Sequence, residues 1–137
     1  MHIPLVTLIV SAYDPAIEFF CDVLGCELVE DSPSTTNDGR PKRWVVVRPP
    51  GAETGLLLAK VDGDQQEQAV GNQTAGRVGF FLRVDQFDET YARLLAAGVK
   101  TYGEPRMEPY GMVVVFEDLE GNKWDLLGSD KPNAADQ

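Results

Sequence analysis

Few residues of this 137-residue chain are equipped for chemistry: it holds one histidine, His2, and two cysteines, Cys21 and Cys26. A Ser/His/Asp relay has no histidine to turn on except one beside the initiator methionine, and a cysteine nucleophile would lack a base. The two cysteines are five positions apart, which fits no zinc-binding spacing, and no second pair or downstream histidine completes one. Cys21 falls on an expected helix and Cys26 just past its end, so buried inert thiols are expected. Gly76-Arg-Val-Gly79 lacks the Lys-Ser/Thr element of a phosphate loop. The carboxylate groups Asp85/Asp88 and Glu117/Asp118/Glu120 fall in turns, where capping accounts for them.

Charge narrows the partners. Twelve Lys and Arg against 22 Asp and Glu give a formal net charge of −10. That field repels nucleic acid and anionic membrane surfaces, and the densest basic stretch, Arg40-Pro-Lys42-Arg43, is too short to act as a binding arm. No secretory leader is evident and no apolar run reaches about 18 residues, so a soluble, cytoplasmic chain with reduced thiols is expected. The length suits one domain that needs neither disulfides nor a structural metal.

The elements that must position any site follow a pattern that occurs twice. Leu5 to Val10 is β-rich, and Asp14-Pro15 starts a helix with apolar positions Ile17, Phe20, Val23 and Leu24 and a stop at Gly25. Cys26 to Glu30 reads as a strand, Asp31 to Lys42 as a loop, and Trp44 to Arg48 and Gly55 to Val61 as strands. After a polar connection over 62–76, Val78 to Val84 is strand-like, and Asp88 starts a helix ending at Gly98. Val99 to Tyr102 is a short strand, Gly103 to Tyr110 a loop, and Met112 to Phe116 and Lys123 to Leu127 the last strands. Residues 129–137 form a polar tail. The fold class is therefore α+β, with module one at about 4–61 and module two at about 77–128, each strand, helix, strand, strand, strand. One helix covers only one face of a four-stranded sheet, so the two modules need each other.

The paired βαβββ units, Thr7-Leu-Ile-Val10 followed by Asp14-Pro-Ala-Ile-Glu-Phe-Phe20 and Leu24-Gly25, and the late Phe116-Glu-Asp-Leu-Glu-Gly-Asn122, together resemble the glyoxalase/bleomycin resistance/extradiol dioxygenase (vicinal oxygen chelate) superfamily. The likeness runs from about Leu5 to about Leu127. It implies curved sheets around a cavity, commonly in homodimers. In the metal-dependent members it implies a divalent ion on four side chains from the first and last strands of the modules, stabilising an enolate or a bound oxygen. Carried over, those four positions fall on Leu5, near Leu57, at about Gly79, and on Asp125, so only one keeps an oxygen ligand.

Strand alternation then sorts the lining. Thr7 and Ile9 share a face with Leu5, and Phe81 and Arg83 with Gly79. Counting back from Asp118 places Val113 and Val115 inward, and the matching count from Arg48 places Arg43 and Val45 inward, with Trp44 and Met112 facing the helix. Tyr110 is either a lid or an ordinary aromatic plug. Asp125 either pairs with Arg43, Arg83 or Lys123, or addresses a ligand. The expected ligand-binding set is thus Thr7, Arg43, Val45, Phe81, Arg83, Tyr110, Val115 and Asp125. The resemblance with this lining implies a protein that binds an apolar or aromatic small molecule, with no cofactor. The alternative is a metal-dependent lyase or dioxygenase-like enzyme with a degenerate site around Asp125. A third possibility is a collapsed cavity in an interaction module.

Overall fold

The computed structural model describes residues 1–129, so the expected polar tail lies outside the described residues except for Ser129. The chain divides into two compact units, Met1–Val70 and the residues from Gly71 onward. The first holds β1 (Leu5–Val10), α1 (Tyr13–Glu18), β2 (Glu27–Thr35), β3 (Pro41–Arg48), β4 (Gly55–Lys60) and α2 (Asp64–Ala69). The second holds β5 (Val78–Arg83), α3 (Phe87–Ala96), β6 (Thr101–Glu108), β7 (Gly111–Glu117) and β8 (Lys123–Leu127). Each unit has one four-stranded mixed sheet, ordered β1-β4-β3-β2 and β5-β8-β7-β6, in an α+β fold. The first strand of each pairs in parallel with the last, and the other neighbours are antiparallel. The topology of one unit is therefore repeated in the other.

Register explains which side of each sheet is core. Leu8, Leu58 and Val45 lie across from one another on β1, β4 and β3, and all three are fully buried. Helix α1 contacts β4, and Ala16 and Phe20 are buried. In the second unit Phe80, Trp124 and Phe116 form one cross-strand row and Leu82, Leu126 and Val114 the next. Phe80 stacks on Trp124 with ring centroids 4.6 Å apart, and α3, with Phe87 and Leu94 buried, contacts β8. Each such side chain removed from water contributes about 1.5–3 kcal/mol, so these rows fix which face turns to the helix.

The helix boundaries have local causes. Helix α1 begins after Ala12 with no side-chain cap; Asp14, the expected cap, falls inside its first turn, and its carboxylate meets Arg43 at 2.9 Å. It runs on as a π-helical turn over Phe19–Val23, where Leu24 N–H donates to Phe19 O. Gly25, at φ +80°, then lets Cys26 N–H reach Phe20 O and ends the helix.

Three segments expected to be loops are ordered otherwise. Strand β2 continues to Thr35 and β3 starts at Pro41, so most of the expected loop 31–42 is a long hairpin. Pro33 is tolerated because β2 is an edge strand, where a missing N–H breaks no ladder. Strand β6 likewise extends to Glu108 on the edge of its sheet, with Pro105 inside a register shift between Tyr102 and Arg106. The polar connection contains α2, whose exposed Asp-Gln-Gln-Glu-Gln sequence has no apolar stripe for a sequence reading to detect.

Candidate functional site

Alternation leaves each sheet a second face, turned away from its helix. In the second unit that face carries Phe81, Asp125 and Val115 side by side, because Phe81 and Val115 are the register partners of Asp125 on its two flanking strands. Arg83 follows Phe81 on the same face, and Val113, with its partner Arg106 on β6, continues it. Phe81 is 64% exposed although it sits mid-strand with a large apolar ring. Asp125 is half-buried, and among the described residues no hydrogen bond or ion pair reaches its carboxyl. Burial holds that carboxyl above the usual carboxylate range, against the pull of Arg106. The face thus presents an exposed aromatic ring beside a partly desolvated carboxyl.

The neighbouring groups are occupied. Arg83 donates to the backbone oxygen of Gly128. Arg106 Nε lies 2.8 Å from Glu108. Tyr110, in the turn between β6 and β7, is 45% exposed and interacts with Arg106. None of Arg43, Arg83 and Lys123 forms the expected ion pair with Asp125.

In the first unit the open face is different from the one expected. Thr7 pairs with Leu57, which pairs with Val46, so Thr7, Leu57 and Val46 form one row. Val45 lies in the buried row with Leu8 and Leu58, on the helix side, and Arg43 shares its parity. The expected grouping of Arg43 and Val45 with Thr7 is thus corrected, and Trp44, expected against the helix, is on the open face. The cause is a one-residue slip in matching the modules: Val46 and Leu57 correspond to Val115 and Asp125, so Arg48 corresponds to Glu117 and not to Asp118. A slip of one exchanges the two faces of a strand.

Arg43 has a structural task instead. Its guanidinium meets Asp31 at 2.6 Å and Asp14 at 2.9 Å, and lies 5.0 Å from the Tyr13 ring centroid. Its hydrogen bond holds the Asp31 carboxyl below the usual range. A cleft of about 780 Å³ opens nearby, its lining including Trp44, Leu57, Ala59, Arg40, Asp62 and Gln66. Arg40 bridges Asp38 and Asp62 there.

The four positions at which the resemblance implies metal ligands do not fit a metal. Leu5 and Leu57 offer no donor atom, and Gly79 has no side chain. Nor is there room for one at Gly79, where a Cβ would lie 2.6 Å from the Thr74 side chain, itself held by a hydrogen bond to Arg77 O. Among the described residues no three His, Cys, Asp or Glu side chains are grouped to hold an ion.

Asp118 is the one buried carboxylate with a full set of partners among the described residues. Its Oδ1 accepts the backbone N–H groups of Glu120, Gly121 and Asn122, each at 3.0 Å. Its Oδ2 accepts Asn122 Nδ2 and, at 2.9 Å, the indole N–H of Trp124. This locks the β7–β8 turn and so the position of Asp125, one residue beyond Trp124. Both cysteines, expected to be buried, are half-buried free thiols; burial pushes Cys26 up to about 12, and raises Cys21 as well.

Comparison with known proteins gives the family. The family model described as Glyoxalase/Bleomycin resistance protein/Dioxygenase superfamily matches residues 2–126. An uncharacterized protein of Shewanella frigidimarina (strain NCIMB 400) is 45% identical over 123 residues, covering 89% of each chain. TnmS3, described as an antibiotic binding protein from Streptomyces sp. CB03234, is similar with a TM-score of 0.72 and 31% identity, over 94% of this chain and 96% of that one. A superfamily protein from Sphaerobacter thermophilus DSM 20745 has a TM-score of 0.70 and 29% identity, over 94% and 98%.

Proposed function

We propose that this chain, which belongs to the glyoxalase/bleomycin resistance protein/dioxygenase superfamily, binds an apolar or aromatic small molecule on the open face of a sheet without the help of a metal. The observation that carries the reading is the exposed ring of Phe81 beside the partnerless carboxyl of Asp125. An apolar bed with one convergent polar group is what small-molecule sites use for affinity and orientation. Phe81, Arg83, Tyr110, Val115 and Asp125 line the proposed site on the second unit, and Thr7 lies on the open face of the first. The similarity to an antibiotic-binding protein supports a drug-like ligand, and the mismatch of Leu5, Leu57 and Gly79 with metal coordination supports binding over transformation.

A second reading draws on the same carboxyl. A lyase or dioxygenase-like activity centred on Asp125 is favoured by its lack of partners and its raised proton affinity. Elemental analysis separates the two. Stoichiometric metal that is lost together with activity in Asp125→Ala would overturn the binding reading, whereas saturable stabilisation of metal-stripped protein by aromatic compounds supports it. We also propose a cytoplasmic homodimer; a monomeric mass in solution would remove the dimer.

A further inference from the structure

Strand β3 carries its two arginines in different conditions. Arg43, on the helix face, is neutralised by Asp31 and Asp14. Arg48, on the open face with Trp44 and Val46, has no hydrogen bond or ion pair among the described residues. It is half-buried, and its Nε is shut off from solvent with no acceptor. Native proteins seldom leave a guanidinium N–H in that state, because a buried donor without a partner forfeits its hydration for nothing. The acidic residues at hand leave it so: Glu27, its register partner on β2, and Glu30 are exposed and form no ion pair with it.

The internal repeat sharpens the contrast. At the corresponding position of the second unit, Glu117 receives the Tyr102 hydroxyl and an ion pair from Lys100 at 3.4 Å. Beside Arg48 the facing residue on β4 is Gly55, where a Cβ would already lie 3.5 Å from the Arg48 Cβ and 3.0 Å from Val47 O. No side chain crowds Arg48 from that strand. Along β3, Val46 lies between Arg48 and Trp44, and about 3.3 Å per residue sets their Cα atoms roughly 13 Å apart. That is the span of a two- or three-ring aromatic molecule with an acidic substituent.

We propose that the small molecule taken by the open face is an aromatic acid, its rings on Trp44 and its anionic group received by Arg48. This rests on the binding function proposed above. A planar guanidinium is suited to a carboxylate, sulfonate or phenolate because it offers paired donors in a fixed fork. On a chain of net charge −10, an anion needs such a local cation to be held at all.

Two fluorescent probes that differ by one group test this: 8-anilinonaphthalene-1-sulfonate and its neutral parent N-phenyl-1-naphthylamine. Both are titrated into the wild type, Arg48→Met, Arg48→Lys and Arg93→Met, each checked for native circular dichroism. Arg93 is an exposed cation on α3. The expected result is that Arg48→Met weakens the sulfonate about tenfold and leaves the neutral probe within about twofold. Arg48→Lys should recover part of the loss, and Arg93→Met should do nothing. If the neutral probe binds but Arg48→Met treats both probes alike, the assignment of Arg48 is wrong and the binding function stands. If Arg48→Met does not fold, Arg48→Lys decides: an unchanged preference for the sulfonate in that variant overturns the fork-specific contact, and a reduced one supports it. If neither probe binds the wild type saturably, both readings fall.

Discussion

Phe81 and Asp125 are register partners on adjacent parallel strands, an aromatic ring 64% exposed next to a carboxyl with no partner among the described residues. Neither side chain contributes what its type ordinarily contributes to a fold. The ring does not bury its area, and the carboxyl is partly desolvated with only the pull of Arg106 to offset it. Both costs become intelligible if a ligand supplies the missing contacts.

Phe81→Ser should therefore leave stability within about 0.5 kcal/mol of wild type, as for surface sites. It should weaken N-phenyl-1-naphthylamine severalfold. Phe116→Ala, by contrast, empties a fully buried position stacked on Trp124 and should cost about 3–5 kcal/mol. Urea denaturation gives both stabilities.

The pH dependence follows from Asp125. Burial raises its carboxyl above the usual range in the folded chain, so the folded state holds the proton more tightly than the unfolded state. Whatever stability that proton confers is complete below the unfolded value and is lost as pH rises through the folded one. Asp125→Asn should thus melt a few degrees above wild type near pH 7. The gap should close toward pH ~3, where both side chains are neutral. Thermal melts across that range check the sign; a gap that widened on acidification would contradict it.

Asp118 should be essential to the second unit. Asp118→Ala strips the acceptor from three backbone N–H groups and from the Trp124 indole, at a cost of about 2–4 kcal/mol. The change is read from the urea midpoint and the tryptophan emission.

Cys26, with its thiol pushed up to about 12 by burial, should react sluggishly with iodoacetamide at neutral pH in the native protein. Cys21, raised by burial and by Asp22, should also be slow, and both should label readily once urea unfolds the chain. Mass spectrometry counts the adducts.

The fold is legible in the sequence because the signals that define it are local and doubled: helix stops at Gly25 and Gly98, β-rich runs at Leu5 and Val78, and the tight turn after Phe116. What the sequence conceals depends on pairing. Alternation alone places Phe81, Arg83, Val115 and Asp125 together, since the phase of β5, β7 and β8 follows from the residues themselves. On β3 an offset of one residue puts Arg43 and Val45 on the wrong side, and the apolar run Val45-Val-Val47 offers no alternation to correct it. All three valines are buried, so only the partners Leu57 and Leu58 distinguish the faces. The open-face position of Trp44 and Arg48 escapes a sequence reading for the same reason. The strands through Pro33 and Pro105 are hidden because edge position, a tertiary property, is what lets proline remain in them.

The most direct measurement of the central claim is a ¹H–¹⁵N correlation titration of metal-stripped protein with N-phenyl-1-naphthylamine. Saturable shifts should concentrate at Phe81, Val115 and Asp125, while Leu94 and Leu126 in the helix-facing core stay in place. Shifts spread over the helix faces, or no saturable shift at any concentration of the probe, would contradict a small-molecule site on that open face.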